Sequence, residues 1–180
     1  MRMLRMIAVA AVTMAAVVSG GAVNADPKTE VNVRGSEAFE PNALFKSNFR
    51  FAPGDITVHR GDTVTWIDKD KLDPVPHTIT IVDPEDLPGD FSTAYLCLGA
   101  DIIPGVDFDG RCLPFLATHG GVAFSTPVVN VGGAGLDVPG DSLFLPSSDS
   151  VSAQVTAAPG TTLHYMCILH PWMQGTITVE

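Results

Sequence analysis

Three potential metal ligands stand close together near the C-terminus: the thiol of Cys167, the imidazole of His170 and the thioether of Met173. Two residues separate each ligand from the next, so one short loop could bring all three to a single point. Thiolate and thioether donors together favour copper, whereas a tetrahedral zinc site normally draws on several cysteines or histidines and no methionine. A trigonal copper site would require a second imidazole from elsewhere in the chain.

The best candidate for that imidazole is His77. In the segment that it begins, His77, Ile79 and Ile81 share the face expected to meet the core, because side chains alternate along a strand. A lone histidine on an apolar face is more often a satisfied core residue. Because the Cys167 loop lacks one imidazole, however, we predict that His77 is a ligand. The remaining histidines are not expected to bind metal: His59, His119 and His164.

Short strands are the elements that must position these ligands. Polar and apolar residues alternate in segments that Gly, Pro and Asp turns separate: 49–51, 56–58, 63–67, 77–81, 151–155, 163–167 and 176–179. No stretch beyond residue 25 has convincing helical periodicity. We therefore predict an all-β fold, an antiparallel sandwich or barrel, with its core in 48–83 and 147–180. Residues 26–41 fit either an edge strand or a tail.

Residues 84–146 form a long insertion between the two parts of this core. The segment is rich in Gly and Pro but contains aromatic residues that can pack, so we predict one or two short strands or turns that cover a flank of the domain. Its two cysteines, Cys97 and Cys112, are expected to form a disulfide that restricts the unfolded chain by about 3 kcal/mol. Cys167 then remains unpaired, and metal ligation would explain an unpaired thiol in an exported protein.

The N-terminus has the pattern of a secretory leader. Residues 1–25 contain two arginines, an apolar run and then small residues before a cleavage point after Ala25. The apolar run is short for a membrane span, although an uncleaved anchor is the alternative. We predict export to the periplasm or the extracellular space, a single domain over 26–180, and no stable membrane insertion after cleavage.

The charge balance is strongly acidic. The chain has 10 Lys+Arg against 20 Asp+Glu, and loss of the two leader arginines would change the net charge from −10 to −12. Such a surface disfavours nucleic acid and anionic membranes and favours basic partners, although it also serves solubility alone. Phosphate loops and Gly-x-Ser-x-Gly motifs are missing from the sequence, and its 5 histidines are too few for a catalytic multicopper cluster. We therefore do not expect an enzyme.

Taken together, the motifs resemble the plastocyanin/azurin family of cupredoxins, and the ligand loop resembles the amicyanin-like type. The resemblance covers about 48–83 and 147–180 and rests on four runs: Phe49-Arg-Phe-Ala-Pro-Gly-Asp-Ile-Thr-Val58, Gly61-Asp-Thr-Val-Thr-Trp66, His77-Thr-Ile79 and Tyr165-Met-Cys-Ile-Leu-His-Pro-Trp-Met-Gln-Gly175. It implies a Greek-key β-sandwich that holds one type 1 (blue) copper ion at one end.

The resemblance also implies a role for each ligand. His77, Cys167 and His170 match the equatorial ligands, and Met173 matches the weak axial thioether that tunes the reduction potential. One departure is Thr78, which stands where many plastocyanin-type sequences have an asparagine that ties the ligand loops together.

In the family the loop histidine reaches the surface through an apolar patch, and electrons pass there. Pro171 and Trp172 would extend this patch, although Trp172 could equally be packed inward. The leading hypothesis is therefore a monomeric, exported blue-copper protein that transfers single electrons between redox partners. The alternatives are a copper carrier or store, and a domain that docks to a larger complex through residues 84–146.

Overall fold

The computed structural model describes residues 29–69, 74–97 and 112–180. The predicted leader therefore lies outside the described residues. Within those ranges the chain forms twelve strands: β1 (Thr29–Arg34), β2 (Glu37–Glu40), β3 (Leu44–Ser47), β4 (Arg50–Ala52), β5 (Asp55–Val58), β6 (Thr63–Asp68), β7 (His77–Val82), β8 (Val128–Val129), β9 (Ser142–Leu145), β10 (Ser150–Gln154), β11 (Thr162–Met166) and β12 (Gln174–Val179). It also forms two short α-helices, α1 (Phe91–Leu96) and α2 (Cys112–Thr118), and two 3-10 turns, Pro84–Asp86 and Gly121–Ala123.

Most of these strands form two sheets that enclose one core. One sheet has the order β10-β6-β1-β4 and the other the order β5-β12-β11-β7-β9-β8. The predicted all-β sandwich is confirmed, but its strands are not all antiparallel, because β1 pairs with β6 and β5 with β12 in parallel. Consecutive strands such as β5, β6 and β7 change sheets, so several neighbours within a sheet are distant in sequence and need not run in opposite directions.

The core follows the period of two that the sequence shows. Trp66, Ile79, Tyr165 and Ile177 are buried between the sheets at 0% exposure, each on the inward face of its strand. Strand β1 lies between β6 and β4 and contributes Val31 and Val33 to the same core. The core therefore extends beyond the predicted segments 48–83 and 147–180, because β1 lies before residue 48.

The insertion contains helix, contrary to the expectation of strands and turns only. Helix α1 begins at a capping box, in which the Asp90 carboxylate accepts a hydrogen bond from the Thr93 amide while the Thr93 hydroxyl accepts one from the Asp90 amide. Each helix has only six or seven residues, too few for periodicity to show in a sequence. The insertion also supplies β8 and β9, which extend the second sheet beyond β7.

The predicted disulfide between Cys97 and Cys112 is present. It packs in a second apolar cluster with Val82, Met166 and Ile168, outside the core between the sheets. This cluster covers Val82 and Met166 on the outer faces of β7 and β11, and all six residues of β7 are buried. The insertion thus covers the back of the strands that lead to the predicted ligands. None of the helices in the described ranges has the length and apolar character needed to cross a membrane.

Candidate metal centre

Two neighbouring strands bring the predicted ligands together. His77 is the first residue of β7, and Cys167 directly follows β11. These strands are antiparallel, with Tyr165 opposite Ile81, so the start of β7 meets the end of β11 at one end of the sheet. This pairing supplies the imidazole that the C-terminal loop lacks.

Three backbone hydrogen bonds shape the loop after Cys167. The His170 amide donates to the Cys167 carbonyl at 3.2 Å, and the Met173 amide donates to the His170 carbonyl at 2.8 Å. The Cys167 amide closes the loop by donating to the Met173 carbonyl at 3.0 Å. The loop is therefore a compact double turn that holds its side chains in fixed directions.

Two imidazoles and one thiol converge at this position. The Cys167 Sγ lies 3.9 Å from His77 Nδ1 and 3.6 Å from His170 Nδ1, and the three candidate donor atoms lie within 4.8 Å of one another. His77 and Cys167 are 0% exposed and His170 is 8% exposed.

A metal ion fits between these atoms. Metal–nitrogen and metal–sulfur bonds of about 2.0 and 2.3 Å at roughly 120° would separate the nitrogen from the sulfur by about 3.7 Å. The observed separations of 3.6 and 3.9 Å bracket this value. The donor set and its spacing therefore suit a trigonal site.

The metal-free thiol of Cys167 is held in its neutral form. Burial raises the pKa of this thiol, and the Thr78 amide, which donates to Sγ at 3.3 Å, acts in the opposite direction. Because a metal binds the thiolate, metal binding must release this proton.

Thr78 connects the two halves of the site. Besides the bond from its amide to the Cys167 sulfur, its Oγ1 accepts a hydrogen bond from the Ile168 amide at 2.9 Å. Threonine in place of asparagine therefore still links the His77 segment to the Cys167 loop, because the Thr78 hydroxyl accepts a hydrogen bond from the residue after the cysteine.

Met173 is completely buried in the main core cluster, on the same loop as Cys167 and His170. Its backbone is fixed by the two hydrogen bonds described above. A ligand role for its sulfur stays a prediction.

The outer edge of His170 is covered by Trp172, which the sequence indicated, and by two groups from distant segments. The Glu37 Oε1 of strand β2 lies 3.6 Å from His170 Nε2, and the ring of Phe49 lies 5.1 Å from that of His170. Trp172 packs edge-on against the same ring at 5.4 Å and is 39% exposed, whereas Pro171 is buried. No signal in the sequence could have placed Glu37 here, since its segment is weakly patterned and distant in the chain.

The other histidines lie away from this group. The side chain of His59 is 74% exposed, as expected for a residue at a turn. His164 is half-buried on β11, and His119 is buried in the insertion.

The chain was also compared with known proteins. No protein-family model and no curated protein sequence matches it. Among solved structures, it is similar to a purple cupredoxin from Nitrosopumilus maritimus, with 18% identity and a TM-score of 0.42 over 84% of this chain and 99% of that one. A mutant fern plastocyanin has 21% identity and a TM-score of 0.40, over 84% of this chain and all of the other.

The amicyanin of Paracoccus versutus has 12% identity and a TM-score of 0.40, over 86% of this chain and 82% of that one. At this level of similarity the functional argument rests on the residues of the site itself.

Proposed function

We propose that this chain is an exported mononuclear type 1 copper protein that transfers single electrons between redox partners. One observation carries the proposal: a buried thiol meets two imidazole Nδ1 atoms at the spacing that a trigonal metal site needs. Copper is favoured over zinc because a methionine completes the donor set of the loop.

His77, Cys167 and His170 would hold the ion, and Met173 would supply the thioether donor of the same loop. The bound copper would supply a one-electron Cu(I)/Cu(II) couple. The chain contributes rigidity, because hydrogen bonds within the ligand loop and from Thr78 hold the donors in place. Ligands that need move little between oxidation states favour rapid electron transfer.

Burial of the ligands supports electron transfer rather than catalysis. A catalytic metal site keeps an open coordination position that a substrate can reach. Here His77, Cys167 and Met173 are 0% exposed, and His170 is 8% exposed. An electron can tunnel through the side chains that bury these ligands, whereas a substrate molecule cannot reach them.

The proposed exit for the electron is Trp172. It contacts the His170 ring and is more than one-third exposed. Pro171, which the sequence predicted for the same surface, is buried. The redox partners are proposed to be basic proteins, since the chain is strongly acidic. Their association rate should then fall as salt rises.

The test is the spectrum of the purified protein loaded with Cu(II). We expect an intense visible band from thiolate-to-copper charge transfer, together with a type 1 EPR signal. Cys167→Ser and His77→Ala should abolish the band, and the matched control His164→Ala, on neighbouring strand β11, should keep it. A colourless wild-type protein after Cu(II) loading would refute the proposal.

A further inference from the structure

Four polar side chains form a buried row between the second sheet and the insertion. Thr78 and Thr80 belong to β7, Ser142 begins β9, and His119 follows helix α2. All four residues are 0% exposed. The row lies on the outer face of β7, since His77, Ile79 and Ile81 occupy the inner face.

The row begins at His119. Its Nδ1 lies 2.6 Å from the Thr126 carbonyl oxygen, and its Nε2 lies 2.7 Å from Ser142 Oγ. The ring also packs against Phe124, with centroids 5.8 Å apart. Both nitrogens are therefore engaged, and the ring is fixed from two sides within the insertion.

The row ends at the metal centre. Ser142 Oγ lies 2.6 Å from Thr80 Oγ1, which in turn lies 3.1 Å from Thr78 Oγ1. Thr78 then bonds to two successive residues of the ligand loop. Its Oγ1 accepts a hydrogen bond from the Ile168 amide, and its own amide donates one to the Cys167 sulfur. An unbroken series of hydrogen bonds thus joins His119 to the ligand loop.

Apolar packing alone does not explain this row. Valine or isoleucine would fill the same face of β7 without burying hydroxyl groups, whose loss of contact with water has to be offset by hydrogen bonds. A buried polar network in which every member is bonded fixes one arrangement of its members more strictly than apolar contacts do. The position of Thr78 matters most among these residues, because its amide donates a hydrogen bond to the Cys167 sulfur.

We propose that His119 and Ser142 are positioning residues of the metal centre. They hold the Thr78 hydroxyl against the Ile168 amide and so maintain the hydrogen bond from the Thr78 amide to the Cys167 sulfur. Such a bond withdraws charge from a thiolate, weakens its donation to the metal and favours Cu(I). The insertion therefore acts as an outer shell of the site, a role that rests on the proposed function.

The experiment compares Ser142→Ala and His119→Leu, which break the row, with His119→Gln, which keeps a donor and an acceptor. The control is Ser152→Ala, which removes an exposed serine that bonds Thr65 in the other sheet at 2.8 Å. Two readouts are taken: hydrogen exchange of the Thr78 and Ile168 amides in the metal-free protein, and the reduction potential and visible band of the copper form.

We expect faster exchange at both amides and a lower potential with a shifted visible band in Ser142→Ala and His119→Leu. His119→Gln should restore part of each change, and Ser152→Ala should show none. The proposal is overturned if both row variants keep the wild-type exchange rates, or if exchange rises while potential and band stay unchanged. If His119→Leu does not fold, Ser142→Ala decides by the same two readouts.

Failure of the proposed function gives a different result. In that case the wild-type protein would show no type 1 spectrum, while the exchange rates of the metal-free variants would still report whether His119 and Ser142 hold Thr78 against the loop. Accelerated exchange would then support the positioning role, and unchanged exchange would refute it.

Discussion

Reduction of the Cys97–Cys112 disulfide should destabilise the metal-free protein by about 3 kcal/mol. The two cysteines are 15 positions apart, and the chain-entropy model gives about this value for a loop of that length. Reduction removes the covalent link but leaves both sulfur atoms in place, in residues that are 1% and 0% exposed. The effect of the link itself can therefore be separated from the effect of lost contacts.

The expected change in melting temperature follows from the size of the domain. In proteins of 150 to 250 residues, 1 kcal/mol shifts the midpoint by about 2–4 °C, so reduction should lower it by about 6–12 °C. The double variant Cys97→Ala/Cys112→Ala should lose more. It also removes two buried sulfur atoms from the cluster that contains Met166 and Ile168, each roughly equivalent to a buried methyl group at about 1 kcal/mol.

Thermal unfolding followed by circular dichroism, with and without a phosphine reductant, measures both effects. Cys167→Ala is the background of choice, because it removes the third thiol and with it any exchange among cysteines. If reduction moves the midpoint by less than about 2 °C, the chain-entropy reasoning is wrong for this loop. A loss well above the expected value would show that the disulfide also maintains the packing of the second cluster.

Three further predictions concern the core and an acidic pair. Tyr165→Phe removes the hydroxyl that donates to the Gly54 carbonyl at 2.7 Å and should cost about 1 kcal/mol in urea unfolding, since an amide of β12 still bonds that carbonyl. Gly175→Ala should cost more, about 2–4 kcal/mol by the same assay, because a Cβ there would overlap the Gly54 carbonyl and lie 2.6 Å from the Tyr165 ring. Burial, and then the hydrogen bond and charge of Asp141, raise the pKa of Asp137, so the stability linked to this group is present in acid and is lost as pH rises through its folded-state pKa. Asp137→Asn should therefore raise the melting temperature at neutral pH but not below the unfolded-state pKa, and an equal shift at both pH values would contradict this reasoning.

The strands near the site could be predicted because their signal is local. Segments such as 63–67 and 77–81 alternate strictly, since one face meets a single core. Strand β1 could not be placed with the same rules. Its short alternation between Val31 and Val33 fits a tail as well as a strand, and its position between β6 and β4 depends on pairing with distant segments.

The insertion could be predicted only in outline. Its disulfide follows from counting cysteines, but helices α1 and α2 are too short for periodicity to be visible. Strand β9 pairs with β7, and this pairing places Ser142, and His119 bonded to it, in hydrogen-bonding contact with the strand that begins at His77. The sequence around His119, a Gly-rich segment, does not indicate this hydrogen-bonded connection.

The sequence by itself predicted the donor set, because the spacing of Cys167, His170 and Met173 is a local property of one loop, and the lack of a second imidazole in that loop pointed to His77. Only the tertiary structure decided what surrounds these ligands. It placed Glu37 over the edge of His170, buried Pro171 while leaving Trp172 partly exposed, and connected His119 to Thr78 through two hydroxyl groups. These contacts join segments far apart in the chain, and their geometry depends on sheet pairing and core packing, which no spacing along the sequence encodes.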